Sequence, residues 1–432
     1  MSNPKLREPI VNERDLVGVR PSRVPNVKNK LRVLQVGKYY PPHPGGMESH
    51  LKSLCAELKR SVDLRVVVAS SNGSKASEDV DDGIEVARLG KLFSLRSAPF
   101  CAGMAARIRA SKADIVHLHL PNPGAIFAYL ASGHRGRLVL TYHSDIVRQK
   151  VLSKLFDPVL RHALNRADAI IASSSDYIDS SYILRRYQGK CRVIPFGIPV
   201  NEFESFETAE VARLRELYGP RIVLGVGRLV YYKGFEHLIE AMRFVDGHLI
   251  IVGRGPLHGA LQQKAESCGV SERVTFATNV ADVRPYYHAA NVFALSSVAR
   301  SEAFGIVQLE AMACGKPVIN TRLDSGVNTV SLDGITGVTV PSADSAALGG
   351  ALASLLDDPL RCSIYGRAGQ LRVKQYFNLQ EMAWQTLNLY HDVMESQQRT
   401  ECRVSTENGP SLVRPEELSQ PAVAARAMTF SQ

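Results

Sequence analysis

Two short apolar runs, Asn291-Val292-Phe293-Ala294-Leu295 and Pro317-Val318-Ile319-Asn320-Thr321, constrain this chain more than any other feature. Each reads as a short buried strand, which makes the residues between them a crossover helix. Gly305 sits at the turn into that helix, and Gly315 followed by Lys316-Pro317 stops it. The helix start opens at the carboxyl end of the preceding strand, where unpaired backbone N–H groups and the macrodipole favour an anion.

Glu302 and Glu310 flank this spot. Their eight-residue spacing is about 80° around an ideal helix, so they would not stack if both were helical. Glu302 is therefore expected on the loop and Glu310 in the second turn. Carboxylates beside a phosphate repel it, so these two are expected to accept hydrogen bonds from hydroxyls, a sugar on one side and a ribose on the other. Taken singly, either acid would read as part of a solvated helix face.

At 432 residues and 45% hydrophobic content the chain can bury two cores, and two domains is the expectation. No apolar run approaches the roughly 20 residues needed to cross a bilayer. The first thirty residues are charged and lack an apolar centre, which predicts a cytoplasmic protein without a signal peptide. Seven scattered cysteines form no Cys-x-x-Cys pair, the usage of a reduced compartment without a zinc or disulfide framework. Cys314 reads as a small core residue.

Charge is unevenly shared. Residues 1–200 hold 31 Lys and Arg against 17 Asp and Glu, whereas 201–432 hold 21 against 25. A basic half suits an anionic partner, either a membrane leaflet or a diphosphate-linked acceptor. Nucleic acid is disfavoured, because there is no aromatic-basic interleaving, zinc finger or recognition helix.

Order is expected to begin with a strand at 31–37, followed by the loop Lys38-Tyr39-Tyr40-Pro41-Pro42-His43-Pro44-Gly45-Gly46-Met47-Glu48 and a helix at about 49–59. Gly45-Gly46 lets backbone approach a ligand closely. Glu48 could cap the helix or face an acceptor. Further strands are expected at 64–69, 84–89, 115–120, 138–142 and 169–172. His117 and His119 are expected to present one imidazole to each side of the sheet, with His119 ending near the crevice. His143 and Asp145 lie just past another strand end.

A proline- and glycine-punctuated join at 193–201 leads to a second strand-loop-helix series from 221. There Arg228 and Lys233 share one tight loop, and a guanidinium with an ammonium can hold a diphosphate as charge builds on it. The stretch from His248 to Pro256 reads as another strand ending in a glycine-rich turn, where Arg254 can approach a nucleotide. Main-chain groups around Val280 can read a base edge. A closing helix is expected at 380–394.

Over roughly residues 31–395 these elements resemble retaining glycosyltransferases with two Rossmann-like domains, glycosyltransferase family 4. Glu302 to Glu310 matches the Glu-x7-Glu signature, Pro41 to Glu48 the Pro-Pro-x-x-Gly-Gly-x-Glu opening, and Val193-Ile194-Pro195-Phe196-Gly197-Ile198 the family's linker strand. The resemblance implies an α/β fold of the GT-B kind, with two doubly wound domains facing a central cleft. It divides residues 31–398 into an acceptor-side domain (31–195), a linker (196–220), a nucleotide-sugar domain (221–375) and a helix crossing back (376–398), while composition without periodicity predicts a disordered arm (1–30) and a disordered tail (399–432).

The same resemblance distributes roles. Glu302, His143, Arg228 and Lys233 would be catalytic. Gly46, Arg228, Lys233, Arg254, Val280, Glu302, Phe304, Gly305, Ile306, Val307 and Glu310 would bind the donor, and Glu48, His119, Asn122 and Asp145 would face the acceptor. No metal or other cofactor is implied, because fixed cations and the helix dipole take its place.

His119-Leu120-Pro121-Asn122-Pro123 and the segment from Tyr142 to Arg148 look most like bacterial mannosyl- and rhamnosyltransferases of surface polysaccharide synthesis. That implies GDP-mannose or a related GDP-sugar, a saccharide or polyprenyl-diphosphate-linked acceptor, and action at the inner face of the cytoplasmic membrane. The alternatives are a UDP-sugar enzyme with a soluble acceptor and a catalytically silent nucleotide-sugar-binding protein. No carboxylate is evident beneath the anomeric carbon for a covalent route. The implied reaction is same-face attack with retention, the departing phosphate oxygen taking the acceptor proton.

Overall fold

A computed structural model describes residues 30–95, 98–145 and 150–407. The expected arm therefore lies outside the described residues, apart from Lys30, as does the tail beyond 407.

The first sheet contains β1 (Arg32–Val36), β2 (Asp63–Ala69), β3 (Ser77–Asp81) and β4 (Ile84–Leu89). After a separate hairpin of β5 (Lys91–Leu95) and β6 (Ala98–Cys101), it continues with β7 (Ile115–Leu120), β8 (Arg137–Tyr142), β9 (Ala169–Ala172) and β10 (Cys191–Val193). Its order is β10-β9-β8-β7-β1-β2-β4-β3, parallel except for β3 at the edge. The second sheet contains β11 (Ile222–Val226), β12 (His248–Val252), β13 (Val274–Ala277), β14 (Val292–Leu295), β15 (Val318–Thr321) and β16 (Gly337–Val340). Its order, β13-β12-β11-β14-β15-β16, is parallel throughout.

Both orders reverse beside the first strand of their series, at β1 and at β11. Such a switch point opens a crevice at the carboxyl ends of the strands, where ligands bind in open α/β sheets. The central strands are buried on both faces because helices cover both. Val292, Phe293, Ala294 and Leu295 are all buried, and so are Ile115 to Leu120.

Two passages join the halves, and they pair with each other. Ile198 N–H donates to the Phe377 carbonyl (3.0 Å) and Leu379 N–H to the Ile198 carbonyl (3.1 Å). Gly197 is needed there, since a Cβ would stand 2.4 Å from the Asn378 carbonyl oxygen. The long Leu379–Glu407 helix then packs against the Gly46–Leu58 helix of the first half. It runs into the segment expected to lack regular structure, because no proline or glycine interrupts it before Gly409-Pro410.

Two further expectations need correction. The first helix begins at Gly46, earlier than the expected 49, because Gly45 takes the N-cap position. His117 and His119 do not face opposite sides of the sheet. Side chains alternate with a period of two, so residues i and i+2 share a face, and the two rings stack with centroids 4.6 Å apart.

Candidate functional site

The second-sheet wall is built on the loop after β14 and the Ile306–Ala313 helix. Gly305 caps that helix with φ 74°, in the left-handed region where a side chain is disfavoured. Glu302 lies on the preceding loop and meets Lys233, with Nζ 2.6 Å from Oε2 and both side chains only 10% exposed. Ser297 Oγ donates to the same oxygen at 3.0 Å. Burial pulls the Lys233 pKa down, but the charge and hydrogen bond of Glu302, with Tyr232 and Glu310 nearby, together outweigh it and the ammonium is held above its usual range.

Glu310 lies one turn into the helix and accepts from the Tyr287 hydroxyl at 2.7 Å. Burial raises its pKa, while the Tyr287 bond and the Lys233 charge act against that rise. Each carboxylate thus has one oxygen occupied by protein, and no described residue donates to the other. Ile306 and Val307 follow Gly305 at the start of the helix, and Phe304 is buried against Phe196 and Phe377.

Arg228 is exposed at the end of β11 and makes no ion pair with any described residue. It lies within electrostatic reach of Lys38 and Glu48 on the opposite wall. Arg254 donates to the Thr278 carbonyl and to Asn279 Oδ1, tying β12 to the loop that carries Val280.

The first-sheet wall differs. Gly46 opens its first helix, and nothing lies within 4 Å of where a Cβ would stand. Glu48 is buried and folds back on its own helix start, accepting from its own backbone N–H; burial nonetheless raises its pKa.

Behind them His50, His117, His119 and His143 are all buried. Burial pushes the pKa of His50 down to about 4 and that of His117 to about 3, with His119 and His143 also well below the usual histidine range. All four are neutral near pH 7. Gln35 Nε2 donates to the Tyr390 hydroxyl at 2.9 Å, and that hydroxyl meets His117 Nδ1 at 2.6 Å. Gln35 Oε1 can only accept, so the 2.9 Å contact makes His119 Nε2 the protonated nitrogen. His119 Nδ1 then accepts from His143 Nε2 at 3.1 Å, leaving His143 Nδ1 as an acceptor.

Asn122 caps the Pro123–Ser132 helix through Oδ1, and its Nδ2 is buried without a partner. Asp145 accepts from Tyr142 (2.8 Å) and Ser181 (3.1 Å) and pairs with Arg300 at 3.0 Å. Arg300 also donates to the Ser180 carbonyl at 2.6 Å, so Asp145 belongs to a clasp between the two halves.

The sequence-predicted residues therefore separate into a charged group around Glu302 and a neutral histidine group around His143, with Glu48 and Asp145 the acids on the latter side. Sequence reasoning missed Lys38, His50, Ser297, Tyr287, Arg300 and the Gln35–Tyr390 bond. Of these, only Lys38 carried a local signal, its place at the strand end before the glycine loop.

The described residues offer one three-histidine group with metal-ligating potential, His50, His119 and His143. His119 Nε2 and Nδ1 are engaged with Gln35 and with His143 Nε2, whereas His50 Nδ1 is buried without a partner among the described residues. The Asp79-Val80-Asp81 triplet is elsewhere, on edge strand β3, ion-paired with Arg88 and Lys52. No helix of the described residues is long and apolar enough to cross a membrane.

Comparison with known proteins agrees with this layout. Residues 44–202 match the family model described as Glycosyltransferase Family 4, and residues 207–372 the model for glycosyl transferases group 1. O-antigen chain mannosyltransferase C of Escherichia coli is 33% identical over 373 residues, covering 85% of this chain and 100% of that protein. A GDP-mannose-dependent alpha-(1-6)-phosphatidylinositol monomannoside mannosyltransferase of Mycolicibacterium smegmatis is 32% identical over 381 residues, covering 82% of this chain and 95% of that protein. The solved structure of sucrose-phosphate synthase from Thermosynechococcus elongatus, 24% identical, superposes with a TM-score of 0.73 over 85% of this chain and 100% of that one, a likeness of fold alone. With two switch-point crevices, a buried acid-base pair at a helix start and these relatives, the chain belongs to the family 4 glycosyltransferases of GT-B fold.

Proposed function

We propose that the enzyme moves mannose or a related hexose from a GDP-sugar, with retained anomeric configuration, to a saccharide carried on a lipid diphosphate in surface polysaccharide synthesis. The observation that carries this reading is the Lys233–Glu302 pair beside the open helix start at Gly305, with Tyr287–Glu310 on the same helix. A diphosphate can be met by Arg228, Lys233 and the N–H groups of Ile306 and Val307, and these stabilise the charge that develops as the sugar departs. Glu302 Oε1 is left to accept from a sugar hydroxyl and Glu310 Oε1 from the ribose. Val280 main-chain groups meet the base on a loop that Arg254 steadies.

On the facing wall Gly46 leaves room for the phosphates, and His143 Nδ1 accepts a hydroxyl of the transferred sugar. His119 acts through His143 by fixing its tautomer and does not touch the acceptor in this reading. Asn122 Nδ2 and Glu48 are the groups left for the acceptor, while Asp145 holds the halves in register through Arg300. With no metal in the scheme, the departing phosphate oxygen takes the acceptor proton and attack occurs on the face it leaves.

The GDP and mannose assignments are supported by the mycolicibacterial relative, whose name carries both. The basic first half supports work against an anionic membrane surface on the cytoplasmic side. Donor hydrolysis and transfer assayed over GDP- and UDP-sugars test the reading, with NMR of the product's anomeric proton. Turnover confined to GDP-mannose or a close relative with the donor's configuration retained is expected. Preference for a UDP-sugar, an inverted product, or no turnover with any donor would overturn it.

A further inference from the structure

Four large apolar side chains stand exposed in one neighbourhood of the first half: Leu92 (69%), Phe93 (56%) and Leu95 (45%) on β5, and Phe127 (44%) on the Pro123–Ser132 helix. They are not isolated. Phe93 stacks on Phe100 of β6 (4.8 Å between centroids), Phe100 meets Phe127 (6.0 Å) and Phe127 meets Phe156 (5.8 Å). Single exposed apolar residues are ordinary on any protein, but a continuous aromatic row drawn from a hairpin and two helices marks an interaction surface.

The net charge of the half that carries it selects the partner. Residues 30–200 carry 25 Lys and Arg against 14 Asp and Glu, so a second copy of this half would meet like charge. A surface with apolar depth beneath a negative face fits both features, and a bilayer of anionic lipid has that structure. The place fits as well. Gly124 lies so close under the hairpin that a Cβ would stand 2.1 Å from the Pro99 carbonyl oxygen, and Asn122, two residues earlier, stands at the end of β7. Lys91, at the hairpin's base, lies 5.6 Å from the ring of Tyr39 in the loop before the first helix.

We propose that β5–β6 and Phe127 form an interfacial anchor that sinks its aromatic row into the headgroup boundary of an anionic bilayer and holds the acceptor-side crevice against it. The proposal rests on the reading that the acceptor is lipid-linked, and it assigns the contact to named side chains outside the donor site. Lys91 extends the apolar row with a cation at headgroup level.

The test is flotation of the full chain with vesicles of phosphatidylcholine, with and without phosphatidylglycerol. The wild type should float with the anionic vesicles, less so at high salt, and should not float with phosphatidylcholine alone. Leu92→Ser/Phe93→Ser should lower partitioning about 10-fold or more while the thermal shift produced by GDP stays unchanged. A second measurement avoids any loss of fold: in a Trp384→Phe background, which removes the sole tryptophan, Phe93→Trp places a single indole in the row, and its emission should shift to the blue with anionic vesicles. Equal flotation of wild type and double variant, or an indole emission that anionic vesicles leave unmoved, would overturn the proposal. So would light scattering that finds a dimer in the wild type and a monomer in the double variant. If GDP stabilises neither protein, the donor assignment fails, and flotation still decides the anchor.

Discussion

The two walls of the cleft solve the problem of buried polar groups in opposite ways. On the first-sheet wall four imidazoles are buried and kept neutral, and three of them are satisfied by a chain of hydrogen bonds running through Gln35 to Tyr390. On the second-sheet wall charge is retained, because Lys233 and Glu302 are buried together as a pair. The difference assigns the work. Neutral imidazoles can shape and orient a sugar, whereas holding a diphosphate needs fixed cations and oriented N–H groups.

The sharpest break of this contrast is at Lys233. Lys233→Met leaves the Glu302 carboxylate buried and unpaired, so it should cost about 3–5 kcal/mol in urea unfolding and lower turnover roughly 10²–10³-fold. Adding Glu302→Gln should restore much of the stability and none of the turnover. If the double variant is as unstable as the single one, the pair is not the reason for the loss.

The neutral wall should show itself in acid. A histidine whose folded pKa lies below its unfolded value binds fewer protons in the folded state, so its contribution is present above the unfolded value and is lost as pH falls. For His50 and His117 that window runs from about 6.5 down to about 4 and about 3. Within it each group should reduce stability by about 1.4 kcal/mol per pH unit. Denaturant titrations from pH 7 to pH 4.5 should give a slope that flattens in His50→Asn; an unchanged slope would mean that imidazole is not held neutral.

A smaller effect separates the ends of the donor. Glu310→Gln should weaken GDP about 10-fold, and Tyr287→Phe, which leaves the carboxylate in place, only a few-fold. Guanine base alone should bind both variants as it binds the wild type. Loss of base binding in either one would place Glu310 away from the ribose.

What the sequence made legible was local. Glu302, Gly305 and Glu310 lie within one strand-turn-helix passage whose spacing carries its own geometry, and Arg228 with Lys233 lies in a single tight loop. What it hid was long-range. Gln35 and Tyr390 are 355 residues apart, and no spacing rule connects them. Arg300 stands beside Asp145 and Ser180 only in the fold, across more than 100 residues of chain. The separate hairpin β5–β6 escaped notice because its exposed apolar side chains do not follow a core pattern. The histidine pair on β7 was legible and misjudged, since a period of two puts His117 and His119 on one face.

Calorimetric titration of GDP into the wild type, Arg228→Ala and His50→Asn tests the division of labour most directly. Arg228 is exposed and makes no ion pair among the described residues, so its removal should leave unfolding stability within about 0.5 kcal/mol while weakening GDP roughly 10–100-fold. His50→Asn should bind GDP as the wild type does. Equal weakening by both variants, or full affinity in Arg228→Ala, would contradict the claim that the second-sheet wall alone grips the diphosphate.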